Sequence, residues 1–332
     1  MQRRRWAENG RTRRPRSRAR HRVWGEHMLL SLTGAVSQGI LWGIMVLGVF
    51  ITFRMLDIAD LTVDGSFALG GCVAAVASVN MGLDPLVSVL LGMLAGLVAG
   101  AVTGLLHTLF DIPAILAGIL TQISLWSVNL RVMGKSNTPL LGVDTVFSRV
   151  ASLLGVSNNV ATLIIGVFVA ALCVALLYWF FGTEIGSAMR ATGQNEDMCR
   201  ALGIDVRVTK LLALSLSNGL VGLSGALVCQ SQKYADINMG TGAIVIGLAA
   251  IVIGEVLGRL TPGKLQAFGS RLTSAVVGSV IYFIIRAIVL QMGMDANDMK
   301  LFSAVIVALA LVVPVVLERS QARRAWRKGG EC

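Results

Sequence analysis

Charge is the scarcest commodity in this sequence. Only 14% of its 332 residues are Asp, Glu, Lys or Arg, where a soluble domain carries about 25%. With 55% of residues hydrophobic, the composition excludes an ordinary soluble enzyme and points to a membrane protein. Aromatic residues are few, while Gly numbers 37; small side chains suit closely packed transmembrane helices. The five cysteines (Cys72, Cys173, Cys199, Cys229, Cys332) include no CxxC pair, and the three histidines (His21, His27, His107) are scattered. That leaves neither a disulfide framework nor a metal site, and His107 reads as a helix-end residue near the membrane interface. No Ser/His/Asp set, HExxH or mid-span acid cage is present. The stretch GRLTPGKL, Gly258 to Leu265, satisfies G-x-x-x-x-G-K but has Leu265 where the magnesium-binding hydroxyl belongs, carries Pro262 and follows no strand. A nucleotide site is rejected there, and the stretch reads as a basic turn.

What is present is a series of long apolar runs. A helix needs about 20 residues to cross the hydrocarbon. The candidates are 29–53, 63–79, 86–109, 112–130, 160–181, 208–229, 242–257, 271–290 and 300–317. None alternates as a membrane barrel strand does. The expectation is an all-α polytopic membrane protein of about eight or nine transmembrane helices. Its second and seventh spans are short, Gly-rich, and broken or re-entrant. The chain divides into a basic tail (1–27), a transmembrane body (28–317) with a polar loop at 182–207, and a basic tail (318–332). The first tail is read as disordered, or as an extension upstream of a natural start at Met28.

The net charge of +11 is concentrated at the ends, with ten arginines in the first 27 residues. Basic flanks of an apolar body mark cytoplasmic segments rather than a nucleic-acid arm. Arg190, Arg200, Arg207 and Lys210 give the 182–207 loop the same sign, so loop and C-terminus read as cytoplasmic. Five spans before the loop place the N-terminus outside, against its arginines. Either the second span does not cross fully or the tail does not set topology; five crossings is the working assignment.

Gly92, Gly96, Gly100 and Gly104 recur every four residues and line one helix face. That stripe lets another backbone approach closely, within the chain or across a dimer. The stretch DLTVDGSFALGG, residues 60–71, interrupts the apolar runs with Asp60, Thr62, Asp64 and Ser66. Asp64 has two compatible readings: a cap on a helix starting at Ser66, or a residue lining a path through the membrane. Asp64, Gly65, Ser66, Phe67 and, in the sixth span, Asn218 are the path candidates. NMGTGAIVIGLAAIVIG, residues 238–254, is a second Gly-interrupted short segment, and paired broken helices in two halves point to a transport site. Glu255 and Arg259 are spaced to pair at i, i+4. Arg286 is the deepest basic residue.

In the loop, Asn195 to Leu202 reads as a short helix with Asn195 as N-cap, Glu196 and Asp197 in its first turn, and Gly203 as its stop. Met189, Met198 and Leu202 are expected to be exposed apolar residues that a partner covers. The loop GSAMRATGQNEDMCRALGI resembles the coupling-helix region in membrane subunits of ABC importers. The match is to the branched-chain amino-acid/ribose permease family, whose RA.G.N...A...GI pattern stands here as Arg190, Ala191, Gly193, Asn195, Ala201, Gly203 and Ile204. LTVDGSFALGG and GTGAIVIGLAAIVIGEVLG resemble the corresponding segments of the same family, the former closest to an uncharacterised LTVDGSF subgroup. The resemblance covers roughly residues 28–317.

The resemblance implies a multi-pass permease subunit in a bacterial cytoplasmic (inner) membrane, in contact with lipid. It implies import of a small solute, an amino acid above sugars or nucleosides. Expected partners are ATP-binding subunits, an extracytoplasmic substrate-binding protein and a second permease subunit forming a homodimer; nucleic acid is not one. The chain itself is expected to bind no cofactor and to be no enzyme, with ATP and Mg on the ATPase. Arg190, Gly193, Asn195, Glu196, Arg200, Leu202 and Gly203 are the candidate ATPase-coupling residues. The rival reading is a self-contained ion-coupled carrier or channel.

Overall fold

A computed structural model of the chain describes residues 17–260 and 268–291, with isolated positions between 301 and 312. Most of the expected ninth span, most of the 258–265 turn, residues 1–16 and the tail from 318 lie outside the described residues. In order, the elements are α1 (Ser17–Phe50), a π-helical turn (Ile51–Met55), α2 (Val63–Val79), α3 (Pro85–Leu109), α4 (Ala114–Met133), β1 (Asn137–Pro139), α5 (Val146–Leu154), α6 (Asn158–Phe181), α7 (Glu184–Gln194), α8 (Glu196–Ala201), α9 (Val206–Gln232), β2 (Tyr234–Asp236), α10 (Ala243–Leu260) and α11 (Phe268–Gln291). α1 thus reaches back into the basic stretch expected to be disordered.

This is an all-α polytopic membrane protein. Six helices among the described residues are long and apolar enough to cross: 31–55, 85–109, 114–133, 158–181, 206–232 and 268–291. Two shorter apolar helices, 63–79 and 243–258, accompany them. At 1.5 Å per residue, the 17 residues of α2 reach about 25 Å, short of the roughly 30 Å hydrocarbon core. Local sequence sets the boundaries. Asp84 caps α3, accepting from the Leu86 amide at 3.0 Å, with Pro85 in the first turn, where its missing N–H costs nothing. Arg149 of α5 pairs with Asp84 and holds its carboxyl below the ordinary range. Gly134, at φ 68°, stops α4, a conformation that disfavours any side chain.

α1 and α9 form the buried centre. Ser217 and Ser224 of α9 donate to the carbonyls of Gly48 and Leu41 at 2.7 and 2.8 Å. The two helices therefore run antiparallel at close range. α2, α3 and α4 pack on one side of this pair; α10, α11 and α6 pack on the other. The glycine stripe of α3 is used inside the chain. Gly92 meets Gly70 and Ala226, Gly96 meets the Asn218 carbonyl, Gly100 meets the Leu214 carbonyl, and Gly104 meets Leu211. Gly222 of α9 reciprocates against Gly92 and Gly96, so neither helix has room for side chains at the crossing.

The polar loop sits at the Met55 end of α1, since Gly193 lies directly against the Met55 carbonyl. α1 therefore starts on the opposite face, as five crossings before the loop require. That opposite face also carries α5 and a two-stranded antiparallel sheet in which Asn137 pairs with Asp236 and Pro139 with Tyr234. The Arg259 side chain, which the spacing pairs with Glu255, lies outside what the structure describes. The Glu255 carboxylate takes a two-pronged ion pair from Arg54, tying α10 to the end of α1. His107 is a helix-end residue, its Nδ1 2.8 Å from the Ile112 carbonyl.

Candidate functional site

α2 starts part-way through the bundle. Its first residue is Val63 rather than Ser66, and Asp64 falls inside its first turn. Around that start lies a buried polar network. Asn218 donates from Nδ2 to Asp60 Oδ2 at 2.6 Å and to the Leu214 carbonyl at 3.0 Å. Its Oδ1 accepts from Ser66 Oγ at 2.6 Å. Asp60 Oδ1 accepts the Thr62 amide at 2.9 Å, and the Thr62 and Thr103 hydroxyls lie 2.8 Å apart. All five side chains are buried. Each partner relieves the cost of keeping a polar group from water. Asn218 stands near the midpoint of α9, so the network lies at mid-depth.

Asp64 caps, but not its own helix. Its Oδ2 accepts the Gly242 amide at 2.8 Å and its Oδ1 accepts the Ile244 amide at 2.9 Å. The carboxylate thus closes the N-terminus of α10, 178 residues further on. Gly240 packs its Cα against the Asp64 carbonyl with no room for a side chain. From this junction α2 runs to the sheet face, while α10 runs to the loop face and the Arg54–Glu255 pair. Two short helices of opposite direction, starting together at mid-depth, form the inverted broken-helix arrangement of transport sites. Sequence shows both broken segments. It does not show that a carboxylate in one caps the other.

The path candidates separate into two groups. Asp64 and Gly65 line a furrow of about 280 Å³ between α2, α4 and the turn before α10. Ser66, Phe67 and Asn218 are fully buried and line none of the described cavities. Ser66 and Asn218 belong to the network, and Phe67 stacks against Trp42 at 4.7 Å. The furrow wall that sequence reasoning missed is α4, through Gln122, Trp126, Ser127 and Asn129. Its signal was present: α4 is the least apolar of the six long helices, and also the least buried. A helix facing lipid gains by being apolar; α6, also largely uncovered, is the most apolar of the six. The outer face of α4 is apolar all the same, through Ile115, Leu116, Leu120, Ile123 and Val128; its polar side chains Gln122, Ser127 and Asn129 are the ones that meet the furrow.

At the loop face, two capped helices form a rigid unit. Thr183 caps α7 through the Gly186 amide, and Asn195 caps α8 through the Met198 amide at 2.9 Å. Gly203, at φ 83°, ends α8, and the Ile204 amide returns to the Cys199 carbonyl at 3.0 Å. Asp205 then caps α9. The unit is tied down at three places. Glu196 pairs with Lys210 of α9 and, at 3.6 Å, with Arg200. Thr192 and Thr209 hydroxyls lie 3.2 Å apart. The Arg190 guanidinium lies 5.6 Å from the centre of the Phe268 ring at the start of α11.

Met198 and Leu202 are exposed, at 52% and 69%. Met189 is not: it is fully buried, because Glu184–Gln194 is a helix whose inner face is Gly186, Met189 and Thr192. Beside α8 opens a cleft of about 700 Å³ lined by Arg200, Arg207, Lys210, Asp111 and Asp205.

The family described as "Branched-chain amino acid transport system / permease component" matches residues 31–314. The chain belongs to this family. Among relatives of this permease, a tyrosine transport system permease protein from Clostridioides difficile (strain R20291) is 36% identical over 276 residues, 83% of this chain and 88% of the relative. The ribose import permease protein RbsC of Escherichia coli (strain K12) is 28% identical over 292 residues, 85% of each chain. PsaBC from Streptococcus pneumoniae, solved in complex with Fab, aligns at TM-score 0.47 and 18% identity, over 86% of this chain and 91% of that one. The family and the sequence relatives make this permease a transporter membrane component of the kind that carries small solutes.

Proposed function

We propose that this permease is the membrane-spanning subunit of an ATP-driven importer in a bacterial cytoplasmic membrane, moving an amino acid handed over by an extracytoplasmic binding protein. Separate ATP-binding subunits hold ATP and Mg, and a second permease subunit completes the path. The amino-acid cargo rests on the family description and the tyrosine permease relative; the ribose permease relative keeps a sugar as the second reading.

The observation that carries the proposal is the α7–α8 unit. It is a capped, rigid body with apolar residues uncovered on one side and fixed ties on the other. Met198 and Leu202 would enter a cleft of the ATPase, with Arg200 at the rim. When the ATPase closes, the unit moves as one piece. Gly193 presses on Met55 at the π-helical turn, and Glu196 and Thr192 pull on the start of α9. α9 carries Asn218, which holds Asp60 and Ser66. The start of α2 then shifts against the start of α10, and the furrow between α2 and α4 changes shape. In this reading Gln122, Ser127 and Asn129 of α4 line the path.

The test is co-purification with the ATPase and ATP-driven uptake in vesicles. Met198→Asp and Leu202→Asp are expected to abolish both while the chain still inserts, and Arg200→Glu to weaken both. Unchanged co-purification and uptake in all three variants would count against docking at α8.

A further inference from the structure

On the far side of the Asp64–α10 junction from the furrow lies a larger cavity, about 730 Å³, opening between the middle of α1 (Ser31 to Trp42), the start of α10 and the last turns of α11. On its wall, Gln38, Gln232 and Arg286 make no hydrogen bond or ion pair among the described residues, and the buried Trp42 Nε1 is likewise without a partner. Arg286 is half-buried, with its guanidinium 5.7 Å from the centre of the Phe283 ring. An arginine inside a membrane body faces a cavity or a partner and marks a site. The rest of the wall is mostly apolar, and it is stiff. Trp42 packs between Phe283, at 5.4 Å, and Phe67, at 4.7 Å. Thr241 lines both this cavity and the furrow, so an occupant here would rest against the turn that Asp64 holds.

We propose that this cavity binds an organic anion with an apolar body, its carboxylate or phosphate on Arg286 and its apolar part against Trp42, Phe283 and Val245. Gln38 and Gln232 supply the remaining donors and acceptors. The same chemistry has two sources, a carboxylate-bearing solute on its way to the furrow or an anionic phospholipid. The proposal does not depend on ATPase docking.

The test uses the full chain in phosphatidylcholine nanodiscs and reads the thermal midpoint against added L-phenylalanine, phenethylamine (the same body without a carboxylate) or phosphatidylglycerol. In the wild type, L-phenylalanine or phosphatidylglycerol is expected to raise the midpoint saturably, and phenethylamine to have no effect. A response to L-phenylalanine assigns a solute site, and a response to phosphatidylglycerol assigns a lipid site. Arg286→Gln is expected to weaken the response about tenfold or more, the loss of one charge-assisted hydrogen bond, and Arg286→Lys to retain most of it. Should Arg286→Gln not fold, Gln38→Leu with Gln232→Leu is read by the same criterion. No saturable response to either anion, or an undiminished one in the variants, overturns the proposal. Co-purification of Arg286→Gln with the ATPase, expected at wild-type level, separates failure here from failure of the docking reading.

Discussion

Removing the Asp64 carboxylate takes away the two acceptors that close α10, at 2.8 and 2.9 Å from the Gly242 and Ile244 amides. Losing an exposed N-cap costs about 1 kcal/mol, and a hydrogen bond to a charged group contributes about 1.5–3 kcal/mol. The aspartate pays back part of this by leaving a partly buried position, so Asp64→Ala is expected to cost about 2–4 kcal/mol. Asp64→Asn keeps one acceptor oxygen in nearly the same place, and its cost should be roughly half. Thermal unfolding of the purified chain reads the order directly: wild type highest, Asn lower by a few degrees, Ala lower again. Uptake should follow the same order, because the junction sets where the furrow lies against the turn 238–242. If Asn and Ala unfold at the same temperature as the wild type, the carboxylate is not holding the two short helices together and the reasoning fails.

Other positions give sharper, local expectations. Gly193→Ala forces a methyl group onto the Met55 carbonyl; the strain is about 1–3 kcal/mol, and ATP-driven uptake is expected to fall while the amount of inserted protein holds. Gly96→Val has only the Asn218 carbonyl and Gly222 to displace, so it should separate α3 from α9 and lower the thermal midpoint more than Val98→Leu, which alters an exposed position. Lys210→Met strips Glu196 of its closer partner, and hydrogen exchange of the 196–201 amides should quicken without loss of the long helices.

Much of the architecture was legible because it is written in runs of residues. Each apolar run that falls in the described region became a helix; α2 fills the 63–79 run, although the reading of Asp64 as a cap had placed the helix start at Ser66. The Asn195 cap and the Gly203 stop were equally plain, since both are local backbone requirements. α5 and α7, nine and eleven residues long, are amphipathic rather than apolar throughout and so form no run of membrane length; missing α7 led to Met189 being read as exposed. The long-range partners were not legible at all. Nothing near Asp64 names Gly242, and nothing near Glu255 names Arg54, since either carboxylate also has a plausible local use. The stripe Gly92 to Gly104 announces a close approach but not its partner, because a glycine face fits any backbone. That α4 is the least apolar of the long helices was legible in composition, but which of its side chains meet the furrow needed the fold.

The central claim is that the α7–α8 unit is driven by a separate ATPase. Sealed vesicles carrying the chain alone, then the chain with its ATPase and binding protein, test it with a panel of tritiated amino acids. The account predicts uphill uptake only in the complete assembly and only with ATP. Uphill uptake by the chain alone, driven by a sodium or proton gradient, would contradict it.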